Sequence, residues 1–253
     1  MHEVIEAEDL AKIYRSFKGA KEVAALNGVS FTADRGAFIG VMGPSGSGKT
    51  TLLNLLSGVD TATSGTVKIE GREIAKMKRE ELALFRRQKI GYIFQDFNLL
   101  DSLTLKENIA LPLILDKKPP REIEARVEEI MTFFGIAHLA DQYPYQVSGG
   151  QKQRAAAARA IVTNPAVCFA DEPTGNLDSK SSANIMEMLT QMNEQLQSTI
   201  VMVTHDAFAA SYCKRIIFIK DGQINAQIQR AGDRKAFFDK ILEVLSVVGG
   251  DPR

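Results

Sequence analysis

The chain has 253 residues, 45% hydrophobic and 25% charged, the make-up of an ordinary globular protein with a sizeable core in one large or two small domains. Lys plus Arg and Asp plus Glu number 31 each, so the formal charge is zero, which argues against a broad nucleic-acid-binding surface. No apolar run approaches the ~18–20 residues that span a bilayer, and the acidic start Met1-His2-Glu3-Val4-Ile5-Glu6 lacks the features of a signal peptide. Cys168 and Cys213 match no metal spacing, and Cys168 reads as a small buried hydrophobe. A cytosolic chain with reduced thiols is expected.

In chain order, strand-like pieces at 4–7 and 28–33 flank a polar, mixed-charge stretch holding Tyr14. The apolar run 37–42 predicts a buried strand, and 51–56 a helix. Residues 65–69 alternate and end at the turn Glu70-Gly71, so these flanks predict an antiparallel sheet beside the core. A charged helix over 76–89 leads to a buried strand at 90–95. From 96 to about 160 the pattern is largely helical. One helix begins near Leu103 and another at Pro120, the latter carrying Ile123, Val127, Ile130, Phe133 and Phe134 at helical spacing.

Strands then recur at 166–170, 199–203 and 216–219, with a helix over 182–196. Strands alternating with helices imply a parallel sheet covered on both faces. The tail, 235–248, places Phe237, Phe238, Ile241, Leu242, Leu245 and Val248 on one helical face. It reads as a helix packed on the body, with a membrane-surface helix as the alternative.

Between the strand at 37–42 and the helix after it stands Gly43-Pro44-Ser45-Gly46-Ser47-Gly48-Lys49-Thr50-Thr51, which fits G-x-x-x-x-G-K-[ST]. Glycines let backbone N–H groups curl around a phosphate chain, and the helix N-terminus adds partial positive charge. In such a loop Lys49 reaches the β- and γ-phosphates and the Thr50 hydroxyl ligates Mg²⁺. The expected fold is α/β. It comprises a P-loop NTPase core of mostly parallel sheet, an N-terminal antiparallel β subdomain and an inserted helical subdomain. The whole forms one domain over 1–253, with the core at 1–95 and 161–230, the helical part at 96–160 and the tail at 231–253.

Asp171 and Glu172 stand at the end of a buried strand, where ligands sit in open α/β sheets. One carboxylate can help hold Mg²⁺ while the next polarises an attacking water. His205 ends another core strand, within reach of a γ-phosphate. Ser148-Gly149-Gly150-Gln151 opens an Ala-rich helix with Ser148 as N-cap, a second anion site of the helix-N-terminus type. Two phosphate-binding elements so far apart in one chain suggest a homodimer in which each copy's second element closes over the other's nucleotide.

These stretches, with Gln95, Val147 and Asn176-Leu177-Asp178, resemble in order and spacing the ATP-binding subunits of ABC transporters over nearly the whole chain. Val147 departs from the family's usual Leu but keeps an apolar anchor. The resemblance implies ATP and Mg²⁺ as cofactors and ATP hydrolysis that drives a membrane permease. It makes Tyr14 the aromatic that stacks on adenine, with Phe17 as fallback. Gln95 touches metal and lytic water, Thr50 and Asp171 hold the metal, Glu172 is the general base and His205 the γ-phosphate sensor. Ser148 and Gly150 contact the other subunit's ATP, and Asp178 crosses the dimer interface.

Asp171 to Ser179 resembles the branch for lipoprotein release, macrolide efflux and peptide resistance. Phe94 to Asp101, Thr204 to Asp206, Ala210 to Cys213 and Ile219 to Gly222, with the tail ending in Gly249-Gly250, resemble bacitracin-type resistance ATPases. That group implies a permease with a large extracellular domain, a sensor histidine kinase beside it and a place on the cytoplasmic face of the plasma membrane. Alternatives are a lipoprotein-release, macrolide-efflux or cell-division ATPase and, more remotely, a soluble ABC ATPase of DNA repair or translation. Phe97, Leu99 and Leu100 are expected at the permease's docking surface, with interior packing the alternative for the two leucines.

Overall fold

The computed structural model describes residues 3–14 and 22–248. Phe17 and the Gly249-Gly250 ending lie outside the described residues.

The centre of the fold is a sheet in which β6 (Ile90–Ile93), β7 (Val167–Asp171), β8 (Ile200–Val203), β3 (Phe38–Met42) and β9 (Arg215–Lys220) run parallel, side by side in that order. Every residue of β3 and β8 is buried. A parallel sheet is covered on both faces, so its strands read as unbroken apolar runs. Each large side chain fully buried this way contributes about 1.5–3 kcal/mol. At the β9 edge, β10 (Gln223–Gln229) pairs antiparallel through the turn Asp221-Gly222, where both residues have positive φ.

A second, antiparallel sheet has the order β2 (Val23–Asp34), β1 (Glu3–Tyr14), β4 (Ser64–Ile69), β5 (Arg72–Glu73). Tyr14 is therefore the last residue of a long strand rather than part of a loop. The reason is the neighbour: β2 pairs with β1 as far as Tyr14↔Val23, supplying ladder hydrogen bonds that a polar sequence does not advertise. Leu10, Leu26, Val29 and Phe31 from this sheet share a core with Ile39 and Val41 of the central sheet. Leu52, Leu53, Leu55 and Leu56 of α1 (Lys49–Leu56) complete it.

The remaining helices are α2 (Arg79–Lys89), α3 (Leu105–Leu115), α4 (Pro120–Phe133), α5 (Gly149–Ile161), α6 (Ser179–Gln195), α7 (Ala207–Ala210) and α8 (Arg234–Val248). Between β6 and β7 the regular elements are all helical. Thr104 and Glu107 close a capping box at the start of α3, and Pro120 takes the first position of α4. Ala155, Ala156, Ala157 and Ala158 make α5 slim enough to lie buried against its neighbours. Helix α6 starts three residues earlier than its apolar pattern indicates, because Asp178 caps it.

Helix α8 packs on the body. Phe237, Ile241 and Val248 are buried in the core that also holds Ala209, Ala210 and Tyr212, and the Arg234 guanidinium lies 4.2 Å from the Tyr212 ring centroid. Among the described residues, no helix is long and apolar enough to cross a membrane.

Candidate nucleotide site

The loops leaving β3, β7 and β8 meet at one end of the central sheet because those strands are parallel neighbours. The loop after β3 surrounds a cavity of about 720 Å³ lined by the residues from Gly43 to Thr51 other than Ser47, and by Glu172 and His205. Helix α1 begins at Gly48, which is its N-cap and supplies no side-chain hydrogen bond, so the first N–H groups of the helix have no capping side chain. Gly48 has φ +100°, and a Cβ there would stand 2.3 Å from the Ala25 carbonyl oxygen. Only glycine fits both the conformation and the space.

Lys49 Nζ donates to the carbonyls of Gly43 (2.9 Å) and Pro44 (2.8 Å). Burial pulls its pKa down, against the opposing charges of Glu172 and Asp171. Ser47 turns inward. It is buried, its Oγ has no hydrogen-bond partner, and its carbonyl accepts from the Gly222 N–H. Of the loop residues expected to bind, it alone does not line the cavity.

Asp171 ends β7 with its carboxyl pKa raised, first by burial and then by the charge of Glu172. Glu172 follows in the left-handed region at φ +43°, and its Oε2 lies 2.9 Å from His205 Nδ1. A second cavity of about 500 Å³ also borders Glu172 and His205, continuing past Leu177 and Thr204. This pair therefore stands between two openings.

Other expected residues lie farther out. Gln95 borders neither cavity and sits against Gly175, whose hypothetical Cβ would be 2.8 Å from Gln95 Nε2. Asn176 Nδ2 ties down this joint through the Gln95 carbonyl and Asp96 Oδ1. Tyr14 is 40% exposed and does not line the cavity, and its hydroxyl donates to Asp60. The Ser181 hydroxyl donates to Asp178 Oδ2, and with the N–H groups of Ser181 and Lys180, which donate to Oδ1, it holds the Asp178 pKa low.

Ser148 and Gln151 cap α5 reciprocally, each side-chain oxygen accepting the other's backbone N–H. Gly149 and Gly150 lie near Leu177 and Ser181 respectively. None of these four residues borders either cavity. Within one copy the start of α5 therefore stays outside the cavity formed by the phosphate loop.

Sequence reasoning missed Ala25, Leu245 and Val248, which also line the larger cavity. No motif marks them, because they arrive from a β2 end and a terminal helix through packing alone. Leu99 packs on the core, Leu100 is 47% exposed, and the Phe97 ring reaches towards Gly149. A separate groove of about 340 Å³ is lined by Phe94, Asn98, Leu111 and Leu115. Arg159 of α5 holds its rim by donating to the carbonyls of Phe97 and Asn98, both in positive φ.

Residues 26–175 match the family model for the ABC transporter. The uncharacterized ABC transporter ATP-binding protein YvcR of Bacillus subtilis (strain 168) is 54% identical over 98% of this chain and 96% of its own length. The bacitracin export ATP-binding protein BceA of Halalkalibacterium halodurans is 49% identical over 98% of this chain and 97% of its own. Among solved structures, a dimeric ATP-binding cassette in a post-hydrolysis state bound to ADP and Pi superposes with a TM-score of 0.81 at 38% identity. That match covers 90% of this chain and all of that one.

Proposed function

The chain belongs to the ABC transporter family as an ATP-binding subunit and ATPase, and we propose that two copies close over two ATP molecules, each site completed by Ser148 and Gly150 of the other copy. The observation that carries this reading is the separation within one copy: Ser148 to Gln151 border neither cavity around Glu172. A helix N-terminus that borders neither cavity of its own chain is matched to the phosphate held by a partner.

Hydrolysis falls to the cavity residues. Lys49 and the uncapped N–H groups of α1 hold the β- and γ-phosphates, and His205 holds the γ-phosphate while orienting Glu172. Glu172 takes a proton from the attacking water, whose oxygen bonds to γ-phosphorus as the bond to the β-bridging oxygen breaks. The Thr50 hydroxyl, the Asp171 carboxylate and the Gln95 amide oxygen are all hard oxygen donors, a set that suits Mg²⁺. The ion, when bound by them, neutralises charge on the phosphates. Tyr14 stacks on the adenine at the end of β1.

The membrane partner docks in the groove of Phe94, Asn98, Leu111 and Leu115. Its apolar lining sits beside the loop that carries Gln95, and exposed Ile114 and Leu115 extend it. The permease has a large extracellular domain and handles peptide antibiotics of the bacitracin kind, with a sensor histidine kinase beside it. The likeness to the bacitracin export subunit supports this substrate class. The ATPase then sits on the cytoplasmic face of the membrane.

A Ser148→Arg variant tests the composite site. It should bind ATP as a monomer with wild-type affinity and neither dimerise nor hydrolyse. Wild-type hydrolysis by that variant would overturn the reading. Loss of bacitracin resistance in cells carrying Glu172→Gln tests the substrate class, and unchanged resistance rejects it.

A further inference from the structure

Helix α8 carries more apolar surface than the body covers. One row, Phe237–Ile241–Val248, is buried. A second row, Phe238–Leu242–Leu245, lies beside it at i, i+4, i+7 spacing, so its members share a face. Phe238 and Leu245 are half-buried, and Leu242 between them is 45% exposed. Leu245 also lines the cavity that holds the phosphate loop, Glu172 and His205. The second row thus starts on the outer surface and ends at the mouth of the nucleotide site.

We propose that this row is a contact for a second copy of the chain, made when two copies close over ATP. The inference rests on the composite-site reading, since that reading brings the partner to this mouth. What α8 adds is an apolar strip continuous with the place where the partner arrives. An exposed leucine between two half-buried apolar neighbours becomes fully desolvated there, which strengthens closure without touching phosphate. The buried row keeps the strip in place by anchoring the helix on α7 and Tyr212. The tail is then a part of the dimer interface rather than an appendage packed on one subunit.

The test uses the full chain carrying Glu172→Gln, which slows hydrolysis so that ATP-bound dimers persist. Leu242→Glu is added in one variant. Val247→Glu, at a position 76% exposed and about 140° around the helix from Leu242, is added in another. Dimerisation with ATP is measured by sedimentation, and nucleotide affinity by titration of dilute monomer with a fluorescent ATP analogue.

Leu242→Glu should weaken ATP-driven dimerisation about tenfold to a hundredfold with monomer affinity unchanged, while Val247→Glu leaves both alone. An unchanged dimer constant for Leu242→Glu overturns the α8 contact while the composite site stands. Equal loss from both substitutions also overturns it, because the effect is then charge on the helix. Weakened nucleotide binding by the Leu242→Glu monomer overturns it as well, since α8 would then act as a wall of the pocket. If the Glu172→Gln parent fails to dimerise with ATP, the composite site and the contact fall together.

Discussion

His205 Nδ1 stands 2.9 Å from Glu172 Oε2, joining the ends of β8 and β7, which are paired neighbours in the central sheet. Glu172 is held at φ +43° beside the phosphate cavity, and the histidine, 68% exposed, stays open to it. A carboxylate fixed by one partner and facing a phosphate site is positioned to accept a proton from water.

Replacing Glu172 with Gln should lower ATP hydrolysis about 10²–10⁴-fold, the range for loss of a general base, with nucleotide affinity retained. Phosphate release under saturating ATP measures it. Hydrolysis near the wild-type rate would assign the base elsewhere.

His205→Ala removes the partner of Glu172 and, on the proposed mechanism, a donor to the γ-phosphate. Turnover should fall about 10²–10³-fold, as for loss of one transition-state donor, with KM changed far less. A rise in KM with kcat intact would make His205 a ground-state binding residue only.

Gly48→Ala places a Cβ 2.3 Å from the Ala25 carbonyl oxygen in a residue held at φ +100°. The strain should cost about 1–3 kcal/mol, seen as a lowered Tm, and the displaced loop should bind nucleotide more weakly. An unchanged Tm with unchanged affinity would show that the loop accommodates a methyl group without moving.

Asp171 gives a pH prediction. Burial and the charge of Glu172 raise its folded pKa above the unfolded value. The folded state therefore binds the proton more tightly, and this favours folding below the unfolded pKa. The advantage is lost as pH rises through the folded value. Asp171→Asn removes the titration, so the variant should melt higher than wild type near neutrality, with the gap closing as pH falls through the raised folded pKa and gone below the unfolded value of about 4. Its hydrolysis should be lost. Thermal melts over this range decide the sign, and a gap that widens in acid would contradict it.

Much of this was legible because the signals are local. Unbroken apolar runs marked β3, β7, β8 and β9, since strands buried on both faces need no polar side. Glycine, lysine and threonine at fixed spacing marked the phosphate loop because backbone approach and charge both demand those types. Pro120, Ser148 and Gly149 marked helix starts for equally local reasons. Strand β10 carried a readable signal as well: Asp221-Gly222 makes a hairpin turn and Gln223–Gln229 alternates, though its polar side chains hid the strand.

Other features depended on neighbours. Tyr14 became strand because β2 offers it a partner, and Ser47 turned inward because Gly222 bonds its carbonyl. The sequence by itself determined the chemistry at each motif: phosphate cradle, paired carboxylates, capped helix and histidine are set by residue type over a few positions. Only the tertiary structure decided which of them share a cavity. Strand order brings β3, β7 and β8 together and leaves Ser148 outside, while α8 swings Leu245 and Val248 to the mouth. Those relations come from long-range packing of apolar faces, which is non-directional and so leaves no spacing to read in the chain.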